Sequence, residues 1–294
     1  MYRLFVFLIL FMLVFTGCNP ASSSTKADSA ILTSTTFLAD ITQNIAGDRV
    51  TVESLLPIGA DPHSYQPTPL DTAKIADSKL LIINGTDYEH FLQTLLENAG
   101  GDRTVIEAST GVSPRKDANG VDPHMWLDPN NVIIYAENIR KGLTEYDPEG
   151  AAIYQSNADS FIAKLNDLDA WIVEQVSQIP PERRLLITNH ESLGYFAERY
   201  GFTVAGTVIE SFSSGASPSA GQMAGLIDQI KSSGAPAIFL DASDNEALAK
   251  QIADETGVRV ITDLHLESLT DGAPSGTYID MMKYNVTQIV EALK

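Results

Sequence analysis

The residues from Asp147 to Pro181 read DPEGAAIYQSNADSFIAKLNDLDAWIVEQVSQIPP, and this stretch organises the sequence on either side of it. Asp147 is suited to cap a helix whose first position is Pro148, and Pro180-Pro181 forbids its continuation. Between them Tyr154, Ala158, Phe161, Leu165, Leu168, Ile172 and Val176 recur at spacings of three and four, separated by polar residues. That period predicts one long amphipathic helix over 148–179. At ~1.5 Å per residue it would extend about 46 Å, the length of a small domain or more. A dimeric coiled coil is the competing reading, but about four heptads of mixed Ala, Tyr and Phe make a poor zipper. The helix therefore reads as a strut packed along two lobes, and a monomer is expected.

On both sides of the strut, short runs rich in Val, Ile and Leu alternate with segments of helical period, the signature of βα units and parallel sheets. Strands are predicted over 30–35, 50–56, 79–84 and 104–107 before it, and over 184–188, 202–208, 237–241 and 258–262 after it. Helices are predicted between most of these, for example over 72–78, 87–98, 220–232 and 245–255. The chain is thus read as α/β, with an N-terminal lobe over 30–147, a linking helix over 148–179 and a C-terminal lobe over 180–294. Each lobe should hold a parallel β-sheet flanked by helices.

At the start of the chain, Arg3 precedes an apolar run from Leu4 to Phe15, too short for the ~20 residues that a membrane-crossing helix needs. The pattern reads as a secretory signal peptide over 1–17. Phe15-Thr16-Gly17-Cys18 resembles the lipobox at which bacterial lipoproteins are cut and acylated. The resemblance implies a lipid on Cys18 and a protein working outside the cytoplasmic membrane, in the periplasm or at the cell surface, anchored to the membrane rather than spanning it. Residues 18–29, rich in Ser, Ala and Thr, suit a flexible tether.

Cys18 is the one cysteine, which rules out a disulfide framework and a cysteine-based zinc finger. Any metal must be held by His, Asp, Glu or backbone oxygen. Lys and Arg total 19 against 38 Asp and Glu, a formal charge of −19, and the few bases form no patch. Nucleic acid is thereby excluded as a partner.

Of five histidines, two share one local context, Asp61-Pro62-His63 and Asp122-Pro123-His124. Proline fixes its own φ and biases its predecessor towards extended geometry, so each pair is a stiff turn that holds the next imidazole, as a metal ligand requires. His63 follows the strand predicted to end near Leu56, and His190 directly follows the one ending near Thr188. Ligands in open α/β sheets gather at such carboxyl ends, so these two rings, one from each lobe, can meet across a cleft. Glu267 occupies the same topological position after the strand ending near Thr262. If 264–267 is extended, His265 shares a face with Glu267, which makes His265 a second candidate for a fourth ligand. His90, in the helical stretch Tyr88-Glu89-His90-Phe91, is read as surface.

Several stretches spread over the chain together resemble one family, the metal-binding lipoprotein receptors of bacterial ABC importers for zinc and manganese. They are Leu56-Pro57 through Asp61-Pro62-His63-Ser64-Tyr65-Gln66-Pro67; Asp122-Pro123-His124-Met125-Trp126-Leu127-Asp128-Pro129; Thr188-Asn189-His190 with Tyr195-Phe196 and Tyr200-Gly201-Phe202; Pro218-Ser219-Ala220; and Leu266-Glu267-Ser268-Leu269 with Thr277-Tyr278 and Met282-Lys283-Tyr284-Asn285. The resemblance implies two α/β lobes joined by one long helix, with the metal site in the cleft between them. It implies His63 and His124 as ligands from the first lobe, with His190 and Glu267 from the second. It also implies a solute-binding protein that hands a divalent metal ion to an ABC permease and catalyses nothing.

Three imidazoles and one carboxylate suit tetrahedral Zn2+, whereas Mn2+, the alternative, prefers more oxygen ligands. Against zinc, residues 113–121 are short and lack the histidine-rich loop that many zinc receptors carry. Nearby carboxylates such as Asp128 or Asp241 are expected to support the ligands, an assignment the sequence leaves open. Two other readings compete. A zinc hydrolase needs a separate general base, and no His-Glu-x-x-His spacing is present. An adhesin would use the metal only structurally.

Overall fold

A computed structural model describes residues 31–117 and 120–294; the expected signal peptide (1–17), Cys18 and the tether (18–29) lie outside the described residues. The first sheet comprises β1 (Ile31–Thr33), β2 (Val52–Ser54), β3 (Leu80–Ile83) and β4 (Thr104–Glu107), all parallel in the order β2-β1-β3-β4. A small antiparallel hairpin, β5 (Lys116–Asp117) and β6 (Gly120–Val121), follows. The second sheet comprises β7 (Leu185–Thr188), β8 (Thr203–Thr207), β9 (Ala237–Asp241) and β10 (Arg259–Leu264), again parallel, in the order β10-β9-β7-β8. The central β9 is buried along its whole length, which is why Ala237-Ile238-Phe239-Leu240 reads as an unbroken apolar run rather than an alternation.

Helices flank both sheets: α1 (Thr36–Ala46), α2 (Pro69–Asp77), α3 (Leu92–Ala99) and α4 (Pro129–Tyr146) in the first lobe, then the strut α5 (Ala151–Val176). They continue with α6 (Gly194–Tyr200), α7 (Ala220–Ser233), α8 (Glu246–Thr256) and α9 (Tyr278–Leu293). In each sheet the chain reverses its direction of winding between two central strands, β1 and β3 in one, β7 and β9 in the other. The loops leaving the carboxyl ends of such strands border a crevice.

The strut buries Tyr154, Ala158, Phe161, Leu165, Leu168, Ile172 and Val176, the seven residues of the apolar stripe. They pack against α1 and α4 of the first lobe, α6 of the second, and α9. One apolar core consequently runs beneath both lobes, from Phe37 and Ile41 through Phe161 and Leu165 to Phe196, Tyr278 and Met282.

The strut starts later than its sequence implies. Pro148–Gly150 forms a 3-10 turn, and the α-helix begins at Ala151 with no side-chain cap. Asp147 does not cap it, because its carboxylate is committed to Arg49 and to the Tyr154 hydroxyl, 2.5 Å away. Two further helices differ. The second starts at Pro69 rather than 72, because Thr68 and Asp71 close a reciprocal capping box around its first turn. The third starts at Leu92 rather than 87, because Gly85, Thr86 and Asp87 have φ of 92°, 55° and 58°, which no right-handed helix accommodates. Tyr88-Glu89-His90-Phe91 is therefore a turn, not a helix.

Candidate metal centre

Both Asp-Pro-His motifs fold alike. Asp61 Oδ1 accepts the His63 backbone N–H at 2.9 Å, and Asp122 Oδ1 accepts that of His124 at 3.0 Å. Each aspartate thus closes a turn over its proline and aims the imidazole inwards. His190 leaves the end of β7, where the Thr188 hydroxyl donates to the His190 carbonyl at 2.6 Å and Ile209 N–H binds the Asn189 carbonyl. Glu267 follows a bend after β10, fixed by Asp241 at the end of β9, whose Oδ2 accepts both Leu266 N–H (2.5 Å) and Glu267 N–H (3.2 Å). Asp244 binds Asp241 N–H and the Asn189 side-chain amide, so the β9–α8 loop grips both segments of the second lobe that carry site residues.

The structure brings His63, His124, His190 and Glu267 together, with one ligating atom from each inside a sphere where all pairs are within 4.8 Å. Their side chains are at most 2% exposed. Glu267 Oε1 is 3.4 Å from His124 Nε2, 3.4 Å from His190 Nε2 and 3.8 Å from His63 Nε2, and the two Nε2 atoms of His124 and His190 are 3.3 Å apart. A tetrahedron with arms of about 2.0–2.1 Å has edges near 3.4 Å. Three measured edges fit it, and His63 stands slightly off. Among the described residues His63 Nε2 and Glu267 Oε1 have no hydrogen-bond partner although both are buried, an arrangement that costs free energy unless a cation fills the gap.

His265 does not join them. Its backbone is clamped on both sides by the Asn285 side chain, and its ring lies against Tyr284. The chain bends at Leu266 and Glu267, so the face-sharing expected of an extended strand does not occur. His90 is exposed. Of the two expected supporting carboxylates, Asp241 supports the Glu267 segment, whereas Asp128 does not serve the site: it caps α4 by accepting Asn130 N–H. The residue that holds a ligand ring is Asp122, whose Oδ1 lies 2.9 Å from His124 Nδ1 while Oδ2 takes Arg115 Nη1 at 2.7 Å. Arg115 also binds Glu198 on α6, and its backbone N–H donates to Tyr195, so Arg115 straps one lobe to the other. The other residue missed from sequence is Tyr88, whose hydroxyl donates to Glu267 Oε2 at 2.6 Å. Its position just past the carboxyl end of β3, after Gly85, was the available signal.

The electrostatics follow from this packing. Burial alone would raise the Glu267 carboxyl, but the His124 charge and polar contacts with His124, His190 and His63 hold it well below the usual carboxylate range. Burial alone would depress His124, yet Glu267 and Asp122 outweigh it and lift the ring to about 9. Burial, then the neighbouring Glu267 charge, push the Tyr88 phenol far up, so it stays a donor.

Residues 31–292 match the family model described as zinc-uptake complex component A, periplasmic. The manganese-binding lipoprotein MntA of Halalkalibacterium halodurans is 36% identical over 287 residues, covering 96% of this chain and 95% of that protein. Among solved structures, the manganese-bound periplasmic metal-binding protein of Candidatus Liberibacter asiaticus superposes with a TM-score of 0.79 at 33% identity, covering 90% of this chain and 99% of that one. The periplasmic zinc-binding protein TroA of Treponema pallidum gives 0.83 at 26% identity, covering 90% and 98%. The chain belongs to this family of extracytoplasmic metal receptors for ABC transporters, and the family's members are binding proteins, not enzymes.

Proposed function

We propose that the protein captures a divalent transition metal between its lobes, with His63, His124, His190 and Glu267 as the four ligands, and delivers it to a cognate ABC permease. The observation that carries this reading is the near-tetrahedral cluster of three imidazole nitrogens and one carboxylate oxygen, two of them buried with no hydrogen-bond partner among the described residues. Zinc is the metal this donor set favours, because three nitrogens and one oxygen complete its preferred shell. The short, histidine-free sequence of 113–121 and the manganese named in the H. halodurans relative support manganese as the second reading. A lipid on Cys18 would keep the receptor beside its permease, in line with relatives named as lipoproteins.

Metal analysis of protein purified without chelator, followed by competition between Zn2+ and Mn2+, tests the reading. Zinc should displace manganese at equal concentrations. Failure of both ions to bind would end the receptor proposal; a preference for manganese would overturn the zinc assignment alone.

A further inference from the structure

Glu267 uses its two oxygens for different purposes. Oε1 faces the three imidazoles at 3.4, 3.4 and 3.8 Å, while Oε2 is engaged by the Tyr88 hydroxyl at 2.6 Å. The tyrosine and the glutamate come from opposite lobes, so the contact spans the cleft. We propose that Tyr88 is a positioning residue that restrains Glu267 to a single metal-facing oxygen and thereby sets the metal preference of the site. This inference rests on the metal-receptor reading above and adds what selects among metals.

The Tyr88 ring cannot turn its hydroxyl elsewhere. It is fully buried, tilted against Trp126 at 4.8 Å between ring centroids and edge-on to His63 at 5.3 Å. Its backbone is held by the left-handed turn at Gly85, Thr86 and Asp87. The Glu89 carboxylate closes that turn by accepting Asn84 N–H at 2.6 Å, Gly85 N–H at 3.1 Å and the Ser34 hydroxyl at 2.6 Å.

An oxygen that accepts one hydrogen bond keeps a second lone pair, so the hydroxyl acts by orientation: it holds Oε2 towards Tyr88 and leaves Oε1 facing the imidazoles, and the protein then offers three nitrogens and one oxygen. A fourfold shell of that composition satisfies zinc and leaves a more oxygen-demanding ion such as manganese short of ligands. Without the hydroxyl, the carboxylate is free to offer both oxygens, which enlarges the shell and makes it more oxygen-rich.

The test compares the unaltered protein with Tyr88→Phe, which keeps the packed ring, and with Tyr284→Phe, a tyrosine outside the site, as control. Cobalt(II) is the spectroscopic probe, since its visible absorption is strong in a four-coordinate shell and weak in a larger one. The expected result is several-fold weaker cobalt absorption in Tyr88→Phe and a fall of about tenfold or more in the zinc-over-manganese affinity ratio, with Tyr284→Phe unchanged. An unaltered cobalt spectrum with both affinities lowered equally would overturn the proposal, because a merely structural role predicts that. Absence of metal binding in the unaltered protein would instead sink the receptor reading itself.

Discussion

Trp126 of the first lobe donates its indole N–H to the carbonyl of Leu266 in the second, at 2.9 Å. The donor lies two residues after His124 and the acceptor one before Glu267, so a direct bond ties the segments that present site residues from opposite lobes. Tyr278 at the start of α9 binds the Trp126 carbonyl at 2.7 Å, and the Thr36 hydroxyl accepts Leu269 N–H at 2.9 Å. Buried hydrogen bonds of this kind hold the lobes in one relative position, which preorganises a cluster whose like-directed ring nitrogens have little reason to converge alone.

Metal should stabilise the fold through the four converging side chains. At ~100 times the dissociation constant, the gain is about 2.7 kcal/mol. Alanine at His63, His124, His190 or Glu267 should abolish most of the metal-induced rise in melting temperature, while His90→Ala and His265→Ala should retain it. Calorimetric scans with and without zinc check this.

Binding should strengthen as pH rises. The His124 ring, lifted to about 9 in the metal-free site, carries a proton at neutral pH that the metal must expel. Affinity should therefore climb towards pH 9 and fall in acid. Titration calorimetry in buffers of different ionisation enthalpy should register net proton release near pH 7.

Asp122→Asn should weaken binding by roughly 10–100-fold, the range for loss of a carboxylate behind a ligating imidazole. The amide presents a poorer acceptor to His124 Nδ1 and no charge to Arg115. Competition with a chelating dye would measure it. Unlike Tyr88→Phe, this change should leave the zinc-to-manganese ratio where it was.

Asp147 should contribute acid-sensitive stability. Its hydrogen bond with Arg49, aided by Tyr154, holds its carboxyl down to about 2. A depressed folded-state value means the contribution is complete above the ordinary carboxylate value of 3.8 and is lost as pH falls towards 2. Asp147→Asn should lower stability at neutral pH and flatten its decline across that window, as read by urea titrations at several pH values.

Phe161→Ala should destabilise the protein by about 3–5 kcal/mol, because the side chain is buried at the middle of the strut in the shared core. Denaturant unfolding should show one transition weakened as a whole, since that core belongs to both lobes.

The strut was legible because the 3.6-residue period writes all seven of its inward positions into a continuous stretch. The Asp-Pro-His turns were legible because their aspartates act over two residues, within reach of a local reading. The ambiguity between His265 and Glu267 had another origin. The bend that separates them is imposed by Asp241, about two dozen residues earlier in the chain, and no local pattern contains that bond. Tyr88 was hidden by a helical pattern that the left-handed residues Thr86 and Asp87 override. Asp128, expected beside the site, went instead to the nearest unsatisfied N–H groups, those at the start of α4.

The common core beneath both lobes bears on how cargo could leave. Swinging the halves apart would pull Phe161, Phe196 and Tyr278 from their neighbours and wet a large apolar area at about 25 cal/mol per Å². His63 sits on a thinner support, a proline-bounded surface loop joined to the opposite lobe through Asp61 and the Ser214 hydroxyl at 2.7 Å. Release of cargo past this loop would break the Asp61–Ser214 bond and that of Gly59 N–H with the Ser268 hydroxyl, while the body of the vessel stayed shut.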